Sequence, residues 1–320
     1  MKRFVRFATV AMSLAGLAWL LRADGVTAPT VQRMANGDVQ IQYKAASGTY
    51  CRIETSTDLQ SWASLVTAQS TGTVNYTDAA APYFPKRFYR ARELAAATLT
   101  GDHLATSAGD LVIHPVNHAS FVMSWNGRMI YNDPVGASSL YSGFAKADLI
   151  LVSHSHSDHY SNTTLAAVLN AGGKIIAPQA VFNSMTAALK AATTVLVNGA
   201  GTTAIGLTVD AIPAYNANHP LGTGNGYVVT LGGKRLYMSG DTGAIAETRA
   251  LQNIDVAFLC MNVPFTMTVA DAVSVTRDFR PKAVYPYHYR NQDNSLADLA
   301  GYKAQVGTEL GIEVRLRTWY

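Results

Sequence analysis

The spacing of apolar residues divides the chain into two parts. Between residues 36 and 94, short segments such as GDVQIQYKA and GTYCRIETS alternate apolar and polar residues, which predicts half-buried β-strands. From Asp110 onward, continuous apolar runs such as ADLILVS alternate with segments of helical spacing such as VADAVSVTRDF. A continuous apolar run indicates a strand buried on both faces. This order predicts a small β unit, followed by an α/β domain with two β layers covered by helices.

Turn and capping residues mark where these elements begin and end. Leu94 to Asp110 is rich in small and polar residues, and we interpret it as a linker and the start of the second unit. Asn126-Gly127 lies between two strand-like runs and predicts a tight hairpin. Asp133-Pro134 follows such a run and is interpreted as a structural turn. Thr268 and Asp271 have capping-box spacing, which predicts the start of a helix.

The first residues have the layout of a secretory signal peptide. A basic start precedes an uncharged apolar run from Phe7 to Leu21, and Val26-Thr27-Ala28 offers a small-x-small cleavage site. The run is shorter than the roughly 20 residues of a membrane span. We therefore expect residues 1–28 to be a signal peptide and the protein to be periplasmic or secreted. A retained N-terminal membrane anchor is the alternative, and only then is a membrane partner expected.

The net charge changes once this leader is set aside. The whole chain carries +4, and residues 1–28 hold four basic residues against Asp24, a net of +3, which leaves about +1. A charge so close to zero gives no support for nucleic acid as a partner. We expect a small-molecule substrate instead.

The two cysteines, Cys51 and Cys260, lie far apart in apolar, strand-like surroundings. An exported chain could join them in a disulfide. We favour two buried free thiols, and neither residue belongs to a metal-binding CxxC pattern.

Ligand-type side chains are concentrated directly after one buried strand. The chain has 8 histidines, and His154, His156 and His159 fall together with Asp158 in the segment HSHSDH, just past ADLILVS. The carboxyl ends of strands are where α/β sheets present their sites. Imidazole nitrogens and carboxylate oxygens suit zinc and similar ions. The segment therefore predicts part of a metal site.

Three further ligand-type residues follow other predicted strands. His219 lies in the predicted loop NANHPLG, Asp241 follows KRLYMSG, and His288 closes KAVYPYHY. Each also has an ordinary interpretation: a structural or solvent-facing histidine for His219, a turn residue for Asp241, and a core histidine between tyrosines for His288. Together with the first cluster, they give five histidines and two aspartates at the ends of separate predicted strands.

These motifs resemble a known family. HSHSDH matches the HxHxDH signature of the metallo-β-lactamase fold superfamily, and flanks such as YMSGDTG and YPYHY look most like its ascorbate-phosphate lactonase-like branch, over residues 108 to 320. The resemblance implies a four-layer αββα sandwich with the site at one edge of the paired sheets. It implies a first metal held by His154, His156 and His219, a second held by Asp158, His159 and His288, and a bridging Asp241.

The resemblance also implies a chemistry. Two divalent ions, zinc by preference and manganese or iron as alternatives, would hold a bridging hydroxide that attacks a lactone, ester or phosphoester. Asp158 would orient this nucleophile and pass its proton to the leaving group. His118, in VNHASF, resembles a histidine that this branch keeps near the metal pocket. We expect His118 and Asn216 to support the ligands or contact the substrate, with packing and turn roles as the alternatives.

Residues 29–95 resemble the fibronectin-III-like accessory modules of exported bacterial proteins, through STDLQSW and a late FYR strand. We expect an independently folded β domain that attaches the enzyme to a surface or polymer, followed by a hydrolase domain over 96–320. A chain starting near Thr98 is then expected to fold and bind two metals. The alternatives to this hydrolase are a catalytically silent metal-binding scaffold and a phosphodiesterase or nuclease of the same superfamily.

Overall fold

The computed structural model of the protein describes residues 26–96 and 98–320. Residues 1–25 of the predicted signal peptide lie outside the described residues. Across those two ranges, no helix combines the length and apolar character needed to cross a bilayer.

The described residues form a mixed α/β fold with large sheets. The strands are β1 Val26–Thr27, β2 Thr30–Arg33, β3 Val39–Lys44, β4 Tyr50–Ser56, β5 Ala63–Gln69, β6 Thr73–Asp78, β7 Phe88–Leu94, β8 Gly101–Thr106, β9 Gly109–Asn117, β10 Ser120–Trp125, β11 Arg128–Asn132, β12 Ala147–Leu151, β13 Leu169–Ala177, β14 Thr193–Val195, β15 Gly201–Ala204, β16 Leu207–Asn216, β17 His219–Leu231, β18 Lys234–Met238, β19 Val256–Cys260, β20 Ala283–Tyr287 and β21 Glu313–Val314. The helices are α1 Asn162–Val168, α2 Gln179–Ser184, α3 Ala187–Ala192, α4 Ala246–Arg249, α5 Val269–Phe279 and α6 Leu299–Val306.

Three sheets organise these strands. An eleven-stranded sheet has the order β1-β7-β4-β5-β8-β9-β10-β11-β12-β13-β14, a seven-stranded sheet runs from β15 to β21, and β2-β3-β6 form a small third sheet. Strands β11 to β14 are parallel, and so are β18 to β21. Two parallel segments therefore present their carboxyl ends, where sites are expected in such sheets.

The two large sheets pack face to face through buried aromatic residues. Phe121 of β10 stacks on Phe258 of β19 with ring centroids 4.3 Å apart, and both side chains are fully buried. Helices cover the outer faces: Leu165 of α1 packs in a cluster with strand residues of the eleven-stranded sheet, and Phe279 of α5 contacts Tyr237 of β18. Each fully buried side chain of this size contributes roughly 1.5–3 kcal/mol. This packing agrees with the predicted pair of β layers covered by helices.

Local signals in the sequence are confirmed at two positions. Trp125 pairs with Arg128 across Asn126-Gly127, and both turn residues have positive φ, as a two-residue hairpin turn requires. Thr268 caps α5 in a complete capping box with Asp271. Local side-chain chemistry is sufficient to place these turns and ends.

The predicted linker is in part wrong. Gly101–Thr106 forms β8, which pairs with β9 on one side and with β5 on the other. Cys51 and Cys260 are buried and unpaired, as favoured above. The N-terminal strands have a core cluster of their own that includes Ile41 and Ile53, yet four of them continue the eleven-stranded sheet. The fibronectin-III-like character and independent folding of residues 29–95 stay predictions.

Buried charged groups join the N-terminal strands to the rest of the chain. Arg317 donates to both carboxylate oxygens of Asp102 at 2.8 and 3.1 Å, and its guanidinium lies 4.9 Å from the ring centroid of Tyr76. Tyr285 donates to Asp102 at 2.7 Å. Because a chain starting near Thr98 lacks Tyr76 and β5, we expect it to be less stable than the full chain.

Asp102→Ala is expected to lower the free energy of unfolding by about 3–5 kcal/mol, because the buried Arg317 guanidinium loses its carboxylate partner. Asp278→Ala is the control: Asp278 is 48% exposed in its ion pair with Arg249, and an exposed pair contributes at most about 1 kcal/mol. Urea unfolding of both variants measures the difference. Equal losses would contradict a stabilising role for the buried network.

Candidate metal centre

The carboxyl ends of the parallel strands carry most of the predicted ligands. His154 to His159 follow β12, Asp241 follows β18, and His288 comes directly after β20. His219 is the exception, because it begins β17 after a two-residue turn and does not lie in a loop. The structure brings all seven predicted ligand side chains together at this edge.

Three imidazoles converge on one side of the cluster. Nδ1 of His156 lies 3.1 Å from Nε2 of His154 and 3.2 Å from Nε2 of His219. Tetrahedral zinc with nitrogen ligands at about 2.0–2.1 Å would separate those nitrogens by roughly 3.3 Å. These two separations are therefore close to what one metal ion requires, and the ligand atoms of all three residues lie within 4.8 Å of one another.

A second group lies beside the first. Nε2 of His288 lies 2.9 Å from Nε2 of His159 and 3.4 Å from Oδ2 of Asp158. His159 and His288 are buried, whereas the Asp158 side chain is 46% exposed. Two imidazoles and a carboxylate at these distances form a second mixed donor set.

Asp241 lies between the two groups. Its Oδ2 is 3.6 Å from Nε2 of His219 and 3.9 Å from Nε2 of His154. Its Oδ1 is 3.3 Å from Nε2 of His159 and 3.5 Å from Nε2 of His288. Each carboxylate oxygen thus faces one group, as a bridging ligand would.

The buried carboxylate of Asp241 fits a cation. Its side chain is only 4% exposed, and Oδ1 is buried without a hydrogen-bond partner among the described residues. Burial raises the pKa of Asp241, but His288 and His159 outweigh it and hold the pKa well below its usual value. A buried, ionised and incompletely paired carboxylate is costly unless a cation accompanies it. The donor set therefore fits divalent metal binding.

Asp133 is a functional residue that the sequence analysis missed. Interpreted above as a turn, it is fully buried, and its Oδ2 lies 2.8 Å from Nδ1 of His159 and accepts from the Ser153 hydroxyl at 2.7 Å. Burial lowers the pKa of His159, but Asp241 and Asp133 raise it well above its usual value. Asp133 thus directs Nε2 of His159 towards the cluster. The available signal was its position directly after the predicted strand RMIYN, which precedes ADLILVS along the chain.

Asn216 orients His219. Its Oδ1 lies 3.0 Å from Nδ1 of His219 and accepts from the His219 backbone N–H at 3.2 Å. This leaves Nε2 of His219 free to face His156. Asn216 is thus placed to support a ligand, one of the two roles expected for it.

His118 connects Asp158 to a residue far along the chain. Nε2 of His118 lies 3.1 Å from Oδ2 of Asp158, and Nδ1 lies 2.9 Å from the hydroxyl of Tyr320. Burial raises the pKa of Tyr320 to about 12, so the phenol keeps its proton and donates to Nδ1. His118 then donates from Nε2 and orients the carboxylate. Tyr320 carries no sequence signal, because 202 positions separate it from His118.

Three residues around the cluster have a left-handed backbone. His118, Asp133 and His288 have φ of 55°, 41° and 46°. This conformation is uncommon outside glycine and persists where surrounding structure enforces it, often at functional sites. Its recurrence here indicates that side-chain placement at the cluster outweighs local backbone preference.

Two clefts open onto the cluster. One of about 420 Å³ is lined by His156, Asp158, Asp241 and Phe265, among others. The second, of about 500 Å³, also includes Asp158. A larger cavity of about 620 Å³ lies between N-terminal strands and α6 and contains none of the seven ligand residues. A substrate therefore reaches the cluster from the side on which Asp158 is exposed.

Comparison with known proteins supports the interpretation of this cluster as a metal centre. The family model described as a beta-lactamase superfamily domain matches residues 113–288. UPF0173 metal-dependent hydrolases from Pyrococcus abyssi and Thermus thermophilus are 31% and 35% identical to this chain, cover 62% of it and align over 93% and 92% of their own lengths. A crystal structure described as a metal-dependent hydrolase from Parabacteroides distasonis is 36% identical, with a TM-score of 0.61, and covers 69% of this chain and 99% of its own.

Asp133→Asn is expected to weaken metal binding about 10- to 100-fold, because His159 loses the charge that fixes its orientation. Asp148→Asn is the control. Asp148 lies near the start of β12, away from the cluster that follows the end of this strand, and accepts a hydrogen bond from the Met129 backbone N–H. Competition with a chromogenic chelator measures both affinities. Unchanged affinity in Asp133→Asn would show that this carboxylate only stabilises the turn.

Asp241→Ala is expected to remove more metal than His219→Ala. Asp241 faces both donor groups, whereas His219 faces one. Elemental analysis of the purified variants gives the number of ions per chain. Two ions retained in Asp241→Ala and none in His219→Ala would reverse these assignments.

Proposed function

Since the chain belongs to the metallo-β-lactamase superfamily, among the UPF0173 metal-dependent hydrolases, we propose that it is a dinuclear enzyme acting on a lactone, ester or phosphoester. The single observation that carries this proposal is the position of Asp241, whose two oxygens each face one donor group. Divalent ions bound there would polarise a substrate oxygen and lower the pKa of water towards neutrality.

Burial distinguishes side chains that can only hold a metal ion from one that can also transfer a proton. His154, His159 and Asp241 are buried, so they hold and orient and do not exchange protons with solvent. Asp158 is 46% exposed and lines both clefts. Of the two aspartates, it has by far the more exposed carboxylate, so we assign it the movement of a proton from the attacking water to the leaving group.

His118 sets the direction of that proton transfer. It donates from Nε2 to Oδ2 of Asp158 and is itself fixed by the Tyr320 hydroxyl. With Oδ2 occupied by His118 and facing His288, the other carboxylate oxygen is the one left for proton transfer. A group that acts as general base has to be held within hydrogen-bond reach of its proton, and this network holds it.

The metal, substrate and location are proposed on narrower grounds. Five imidazoles and two carboxylates favour zinc, with manganese or iron as alternatives. The flanking motifs that resemble the ascorbate-phosphate lactonase-like branch favour a lactone. The proposal that the protein is exported rests on the leader-like residues 1–28. The proposal that it attaches to a surface or polymer rests on the N-terminal strands.

Chelation by EDTA is expected to lower the melting temperature and abolish hydrolysis, because the donors come from distant chain segments that metal ties together. Differential scanning calorimetry and elemental analysis of protein purified without chelator test the metal site. A screen of lactone, phosphodiester and β-lactam substrates then tests turnover. Bound metal without turnover on any substrate would favour the silent scaffold, and absence of metal with unchanged melting would exclude the metal-dependent mechanism.

A further inference from the structure

We propose that Arg290 forms a subsite for an anionic group of the substrate, a carboxylate or phosphate separated from the bond that is cleaved. This inference rests on the proposed hydrolase function and names its substrate class.

Arg290 lies beside the working face of the cluster. It follows His288 by two residues and lines the cleft of about 500 Å³ together with Ser157, Asp158 and Tyr320. Ser157 and Asp158 also line the neighbouring cleft. Because Asp158 and Arg290 line the same cleft, a substrate whose reactive bond lies at Asp158 can extend within it towards Arg290.

Most hydrogen-bond donors of the Arg290 guanidinium have no acceptor among the described residues. No carboxylate in the described ranges lies within ion-pair distance of it, whereas Arg315 and Arg317 are paired with Glu313 and Asp102. Its one side-chain hydrogen bond within those ranges runs from Nη1 to the Asn294 carbonyl, at 3.4 Å. A guanidinium offers five donors in a planar fork that matches carboxylate and phosphate oxygens.

The nearest acid along the chain does not neutralise it. The carboxylate of Asp293 accepts from the backbone and the hydroxyl of Ser295 at 3.0 and 2.6 Å. Arg290 therefore places an uncompensated positive charge at the cleft. A partly desolvated charge of this kind attracts an anion more strongly than one in open solvent.

Tyr320 holds Arg290 in place. The guanidinium lies 4.3 Å from the centroid of the Tyr320 ring, and the backbone N–H of Arg290 donates to the Tyr320 hydroxyl at 3.2 Å. The same hydroxyl contacts His118, which contacts Asp158. The proposed anion site and the working carboxylate are thus parts of one network, so an anion can be bound with little loss of side-chain freedom.

The test uses hydroxamates, which chelate metal ions and need no turnover. Three series with three to six methylenes in the tail are compared, ending in a methyl group, a carboxylate or a phosphonate. At the best length, we expect an anionic tail to bind the metal-loaded protein about tenfold more tightly than the methyl tail, as measured by calorimetry. The tighter of the two anionic series identifies a carboxylated or a phosphorylated substrate.

Arg290→Gln should remove this preference while leaving binding of the methyl series unchanged, and Arg290→Lys should retain part of it. Arg128→Gln is the matched control for charge, since Arg128 is 52% exposed at the far end of β11. Equal affinity for anionic and neutral tails in the wild-type protein, or a preference that persists in folded Arg290→Gln, overturns the subsite and leaves the hydrolase proposal standing. Failure of every hydroxamate to bind, with no metal found, overturns both.

Discussion

The carboxylate of Asp241 is the group on which the rest of the site depends. It is buried, ionised and placed between two sets of imidazoles, with one oxygen facing each set. Such a group is costly in a protein interior unless positive charge compensates it. The convergence of His154, His159 and His288 on it is explained if cations complete the arrangement. Without metal, five closely packed histidines would not be expected to stabilise the fold.

The fold supplies this convergence through strand direction. Parallel strands in both large sheets end at the same edge, and Asp133, His154, Asp241 and His288 all follow such ends. The sheets are tied together close to the site, because the Tyr227 hydroxyl on one sheet donates to the Val152 carbonyl next to the other at 2.8 Å. Residues from four distant segments can then be held within a few ångströms of one another.

Much of the site could be predicted because its residues carry local signals. HSHSDH is dense in ligand-type residues, and His288 and Asp241 follow recognisable strands. Residues that act by supporting others were harder. Asp133 looked like an X-Pro turn, and Tyr320 had no motif. Their roles depend on tertiary contacts that spacing does not encode. The same applies to β8. Its small and polar residues predicted a linker, but the segment forms a strand because it pairs with β5 and β9.

The most direct test of this account is a crystal structure of protein purified without chelator, with anomalous scattering recorded at the absorption edge of the bound metal. We predict two anomalous peaks about 3.5–4 Å apart, one against His154, His156 and His219 and the other against Asp158, His159 and His288, with the Asp241 carboxylate between them. A single peak on one side of Asp241, or no peak at a site with these side chains in the same positions, would contradict the two-ion centre.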